Sequence, residues 1–155
     1  MKLWEAKFGH KVTLGTGKSN MILTCEIEKG NPKDSGLFQG ALDKVTSDYG
    51  ITPKSVVTDG GYGSLENQKH AIEKKITNRV FNKIFGTLKN ICENERVEKK
   101  LKKWRSGIEG VISNLKRNIA KCVWKGLEHY RQKIYWSVIA YNFRVLTGAV
   151  LTGFK

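Results

Sequence analysis

The stretch Ser55-Val-Val-Thr-Asp-Gly-Gly-Tyr-Gly-Ser64 ends a short apolar run on a single carboxylate and follows it at once with glycines. Open α/β sheets present their reactive groups at the carboxyl ends of strands, so Asp59 is well placed for chemistry. Gly60 and Gly61 would let backbone or a ligand approach it closely. Asp followed by Gly is also an ordinary turn, so Asp59 alone reads equally as a strand-ending acid. A second acid, Glu109, lies in Lys102-Lys-Trp-Arg-Ser-Gly-Ile-Glu-Gly-Val-Ile-Ser-Asn-Leu-Lys116. At ~100° per residue, taking Arg105 as zero, Lys102, Glu109 and Lys116 fall near ~60°, ~40° and ~20°. Leu101, Trp104, Ile108, Ile112, Leu115 and Ile119 occupy roughly −100° to −20°, so the polar stripe borders the buried face. A carboxylate on that border can look towards a sheet edge while cations beside it face outward. The plain alternative is an i,i+4 ion pair between Arg105 and Glu109, worth a few tenths of a kcal/mol. Gly107 and Gly110 flank the acid at a cost of ~1 kcal/mol each in a helix, which predicts a close approach there.

Other sites fail on spacing. Gly17-Lys18-Ser19 imitates the end of a phosphate-binding loop, but position 12 is Val where that loop needs Gly, and a strand follows instead of a helix. His10, His70 and His129 are scattered, and no serine sits in a G-x-S-x-G elbow. Cys25, Cys92 and Cys122 are far apart with no CxxC, which predicts free thiols in a reducing compartment.

The elements that must position Asp59 and Glu109 follow from periodicity. Residues 7–16 alternate as a strand on Phe8, Val12 and Leu14, and Met21 to Glu28 form its hairpin partner after the turn Gly15 to Asn20. Asp34 or Ser35 is placed to cap a helix from Leu37 to Tyr49, which Gly50 ends. A strand over Ser55 to Thr58, a helix capped by Ser64 and a strand over Ile76 to Phe81 come next. From about Asn94 the pattern is helical, with a last helix near Leu127 to Leu146. Its aromatics, Tyr130, Tyr135, Trp136, Tyr141 and Phe143, sit at helical spacing among Ile and Val and read as core. This order predicts an α/β fold in one domain, residues 1–155, with helices on the faces of a sheet.

Charge narrows the function. The 155 residues carry a net charge of +14 and are 39% apolar. Residues 1–60 hold eight Lys/Arg and seven Asp/Glu, and residues 61–155 hold twenty and seven. Cations clustered in this way release counterions from phosphates, so a nucleic acid is the expected partner. A well-solvated lysine-rich surface is the bland alternative. No apolar run reaches the ~18 residues of a membrane span, since Tyr141, Asn142 and Arg144 interrupt the last helix, and no membrane partner is expected. The expected location is the cytoplasm, associated with the nucleoid.

Asp59 with its Gly-Gly-Tyr context, Arg105-x3-Glu109-x6-Lys116 and Ala140-Tyr-Asn-Phe-Arg-Val-Leu146 together resemble the catalytic domain of DDE transposases of bacterial insertion sequences, the IS4/IS5-like group. Lys102 stands where that group's signature has Tyr. The segments FGHKVTL and GNPKDS also look like those preceding the family's second Asp. The resemblance implies an RNase H-like mixed sheet flanked by helices, with three carboxylates holding two Mg²⁺ or Mn²⁺ ions for phosphodiester hydrolysis and strand transfer. On it, Asp59 is the second acid and Glu109 the third, both catalytic and metal-binding, while Lys102, Arg105, Lys116 and Arg117 bind DNA at transposon ends and target. The first acid belongs on a strand ahead of the hairpin. Only Glu5 lies there, so the expectation is a domain lacking its first core strand, inactive alone, completed by an N-terminal portion or another copy. A non-catalytic DNA-binding protein derived from the same fold is the competing reading.

Overall fold

The computed structural model describes residues 2–5, 10–81, 88–119 and 126–153. Phe8 and Cys122 lie outside them. Three strands, β1 (Lys2–Glu5), β2 (Lys11–Thr16) and β3 (Ile22–Glu28), make an antiparallel sheet in the order β1-β2-β3. The hairpin is in register with Val12 opposite Ile27 and Leu14 opposite Cys25. Its tip is a tight turn: Gly17 accepts from the Asn20 amide at 3.0 Å, and Asn20 adopts φ +62°. Gly17-Lys18-Ser19 is therefore hairpin, as its spacing requires. β1 departs from expectation. Lys2–Glu5, ahead of the hairpin, form a strand, with Glu5 opposite Lys11.

β4 (Ser55–Thr58) and β5 (Asn78–Phe81) pair in parallel as a second sheet, with Thr58 opposite Phe81. Among the described residues the strands thus form two sheets, where a single mixed sheet was expected. α1 (Phe38–Tyr49) precedes β4 in sequence, and α2 (Leu65–Glu73) runs between β4 and β5. Gly50 ends α1 in the left-handed conformation, at φ 65°. Ser64 caps α2, its hydroxyl accepting from the Asn67 amide at 3.1 Å, an interaction worth about 1 kcal/mol. The start of α1 differs from the expected cap. Asp34–Leu37 form a 3-10 turn ahead of it, and no side chain caps either one.

Two long helices complete the fold, α3 (Glu95–Ile119) and α4 (Leu127–Thr152). Asn94 opens α3 by accepting from the Val97 amide at 2.9 Å. α3 buries Ile108, Val111, Ile112 and Leu115 against Val12, Leu14 and Ile27 of the hairpin, and Leu101 against Val57 and Val80. One helix therefore packs on both sheets. Its apolar stripe, spaced by threes and fours, is what allows this.

α4 runs six residues past its expected end and is pinned by its own Asn142. That amide donates to the Ile22 carbonyl and accepts from the Ile22 amide, both at 2.8 Å, as a neighbouring strand would. Tyr130, Ile134 and Tyr141 are buried, as expected, but Tyr135, Trp136 and Phe143 are not: Trp136 and Phe143 are each 69% exposed. Helical spacing marked these aromatics as apolar without revealing that α4 carries two apolar faces. By length and composition α4 would also suffice to cross a membrane, although it reads as interrupted by Asn142 and Arg144.

Candidate functional site

Asp59 closes β4 and faces α3. Arg105 reaches across from that helix, and its Nη1 donates to Asp59 Oδ1 in a close ion pair. The two side chains are 24% and 16% exposed, so the pair is largely removed from water. A charge-assisted bond in such a setting is stronger than a surface pair, because water screens it less. Arg105, expected to contact DNA, thus holds the candidate catalytic acid. Its Nε is buried with no hydrogen-bond partner among the described residues, and so is the Thr58 hydroxyl immediately before Asp59.

The turn after Asp59 explains its glycines. Residues Gly60–Tyr62 form a 3-10 turn. A Cβ on Gly61 would clash with Asp34 Oδ2 and would lie 3.1 Å from Asp34 Cγ. The expected close approach is made, then, by another carboxylate of the same chain. Asp34 is held in turn by Lys11 Nζ at 2.6 Å, and the Lys11 ammonium is almost fully buried and also donates to the Pro32 carbonyl. Tyr62 is wholly buried. Burial pushes its phenol well above the usual range, the charge of Asp34 pushes it further, Thr13 opposes the shift, and Asp59 adds the least. The Tyr62 and Thr13 hydroxyls lie near each other, yet neither completes a well-formed hydrogen bond. Asn67 locks the turn from below, its amide donating to the carbonyls of Ser35 and Tyr62, each at 2.8 Å.

Asp59, Arg105, Asp34, Lys11 and Tyr62 therefore make one polar corner where β2, β4, α3 and the start of α1 meet. Three of these residues escaped sequence reasoning. The signals were present: a lysine inside a strand, an Asp in GNPKDS, and paired glycines that exclude a side chain. An apolar cavity of about 220 Å³ lies beside the corner, between the hairpin tip, α1, β4 and α3, and Thr58 and Arg105 are among its lining residues.

Glu109 follows Arg105 by one turn, about 6 Å further along the axis, on the exposed side of α3. Gly107 is approached closely, since its Cβ would lie 3.3 Å from Asn20 Oδ1, but Gly110 faces open space. The close approach predicted for both glycines thus holds at one. Lys102 pairs with Glu98 at 2.6 Å, and Arg117 donates to Asn114 at 2.7 Å, both at the surface. Lys116 is exposed about two turns beyond Glu109.

The residues present can be tested against a divalent metal pair. The described residues contain no group of three or more His, Cys, Asp or Glu able to hold an ion. Asp59, moreover, already has a guanidinium on its carboxylate. Asp59 and Glu109 by themselves do not make that site.

An α/β protein with its polar groups gathered at the carboxyl end of a parallel strand, under a cation-rich helix, is the class this geometry defines. A model of the transposase DDE domain matches residues 5–143, and the chain belongs to that family. No curated protein and no solved structure matches it. DNA transposition is the process, and DNA the partner, that this membership indicates.

Proposed function

We propose that this chain binds transposon-end DNA through α3, with Asp59 and Glu109 as two of the three acids of an RNase H-like catalytic centre of the IS4/IS5 type. The observation that carries the reading is the ion pair between Arg105 and Asp59, at a strand end, within a matched transposase domain. Arg105 couples binding to the acid. A DNA phosphate competes with Asp59 for the guanidinium, and bidentate phosphate contacts are among the strongest that Arg makes. When Arg105 turns to a phosphate, Asp59 is released as a free carboxylate. Lys102, Lys116 and Arg117 add phosphate contacts along the same helix.

Domains of this family use divalent metals, and hard cations prefer oxygen ligands. Two acids, one of them paired with arginine, hold such an ion poorly. The remaining, first acid comes from a segment seated near Asp59, and the cavity beside Thr58 and Arg105 has room for its side chain. The 155-residue chain by itself should bind end DNA without joining it to a target. A strand-transfer assay with Mg²⁺ or Mn²⁺ tests this, and efficient joining by the isolated chain would refute it. A DNA-binding protein with no catalysis is the second reading, favoured by the guanidinium already seated on the Asp59 carboxylate. Metal-dependent nicking that Asp59→Ala or Glu109→Ala abolishes excludes that reading.

A further inference from the structure

We propose that the outer face of α4 is the interface through which two copies of this chain pair, helix against helix and antiparallel. Trp136, Ile139, Phe143, Leu146 and Val150 recur at intervals of three, four, three and four, and all are exposed. That is the a/d spacing of a helix built to meet another helix. The opposite side of α4 is already used: Tyr130, Ile134 and Tyr141 are buried in the core, Val138 and Val145 pack against it, and Asn142 holds Ile22. At ~100° per residue the two stripes lie on opposite sides of the helix. The exposed one therefore has no partner within the described fold.

Charge selects the occupant. From Trp136 to Thr152 the sole charged residue is Arg144, in a chain of net charge +14. Arg144 lies off the seam, with its guanidinium 5.7 Å from the Tyr141 ring centre. Residues flanking the seam, Tyr135, Ala140, Asn142, Thr147 and Ala149, are uncharged. Two strongly basic bodies can meet there without bringing like charges together, whereas an acidic partner would find no cations at the rim to pair with. DNA is unsuited for the same reason. A bilayer would have to strip α4 of the core residues on its other face. The seam exposes on the order of 700 Å² of apolar side chain, near the ~800 Å² per partner of a standard interface.

Antiparallel pairing about Phe143 sets Trp136 against Val150, a large side chain against a small one, and Ile139 against Leu146. Phe143 meets its own copy. None of this depends on the reading of Asp59.

Sedimentation velocity on the full chain at 0.3 M salt, without DNA, should show a dimer at micromolar concentration. Phe143→Glu and Phe143→Lys should each weaken dimerisation by about thirtyfold or more, as an interface hot spot does, while circular dichroism stays unchanged. Mixing the two variants should restore a dimer containing one of each. In a cysteine-free background, Trp136→Cys mixed with Val150→Cys should cross-link, and Trp136→Cys alone should not; the reverse overturns the antiparallel arrangement. A wild-type monomer, including one that floats with anionic vesicles, overturns the proposal. So does a Phe143→Glu or Phe143→Lys variant that dimerises as wild type does, or a mixture that stays monomeric.

Discussion

The corner around Asp59 and the outer face of α4 invert the usual distribution of side chains in opposite ways. The corner buries a lysine, a tyrosine and most of an Asp–Arg pair. The face of α4 leaves tryptophan and phenylalanine in water. Charges stay buried where each has a partner of opposite sign, because an unpaired one costs several kcal/mol. Large apolar groups stay exposed over a continuous stripe when another surface is meant to cover them. The first arrangement is complete in itself and should be fragile to single changes. The second is incomplete and should be indifferent to them until two copies meet.

The largest effect expected from this contrast is at Lys11. Lys11→Met strands the Asp34 carboxylate beside Gly61 and should lower stability by about 3 kcal/mol, since removing one partner of a buried pair leaves the other uncompensated. Urea unfolding measures it, and the double variant Lys11→Met/Asp34→Leu should recover part of the loss. Gly61→Ala comes next, at about 1–3 kcal/mol, because its methyl displaces Asp34 from a packed position. On the α4 side, Phe143→Glu should leave the unfolding free energy of the monomer within about 0.5 kcal/mol of wild type, as exposed positions do. Equal losses at Lys11 and Phe143 would erase the distinction between the two regions.

A smaller effect is tied to pH. Cys25 is half-buried, and burial pushes its thiol up to about 12, helped by the charge of Glu26 and opposed by Lys44. A raised pKa favours the protonated form in the folded state. Its contribution is therefore fully present below the unfolded thiol's pKa of about 8.5 and is lost as pH rises towards 12. Cys25→Ser should flatten the decline in stability between pH 8.5 and 11, and Cys25 should resist alkylation at pH 8.

Much of the fold was legible in the sequence, for reasons that lie in the chain itself. Ser55 to Thr58 ends on Asp59 and glycines, which stop a strand sharply, and the strand has those bounds. Gly50 and Ser64 are local signals, and both act as a left-handed end and a cap. Asp34 is harder to read, because its chemistry is not local. It looks like a helix cap in sequence, yet Lys11, more than twenty residues away, takes its carboxylate. Arg105 likewise looked like a partner for Glu109, one turn away on the same helix. Tertiary contact with β4 gives it Asp59 instead. Trp136 and Phe143 read as core in sequence, since an apolar residue at helical spacing does not say which of two apolar faces the fold will cover.

The central claim is that Arg105 is shared between Asp59 and DNA. Binding of transposon-end DNA, followed by anisotropy across a salt series, tests it directly in three proteins. Wild type should lose affinity linearly in log–log form. Arg105→Ala should bind more weakly with a slope reduced by about one. Asp59→Asn, which leaves the guanidinium without its competitor, should bind at least as tightly as wild type. Loss of binding in folded Asp59→Asn, or an Arg105→Ala curve superimposable on wild type, would contradict the account.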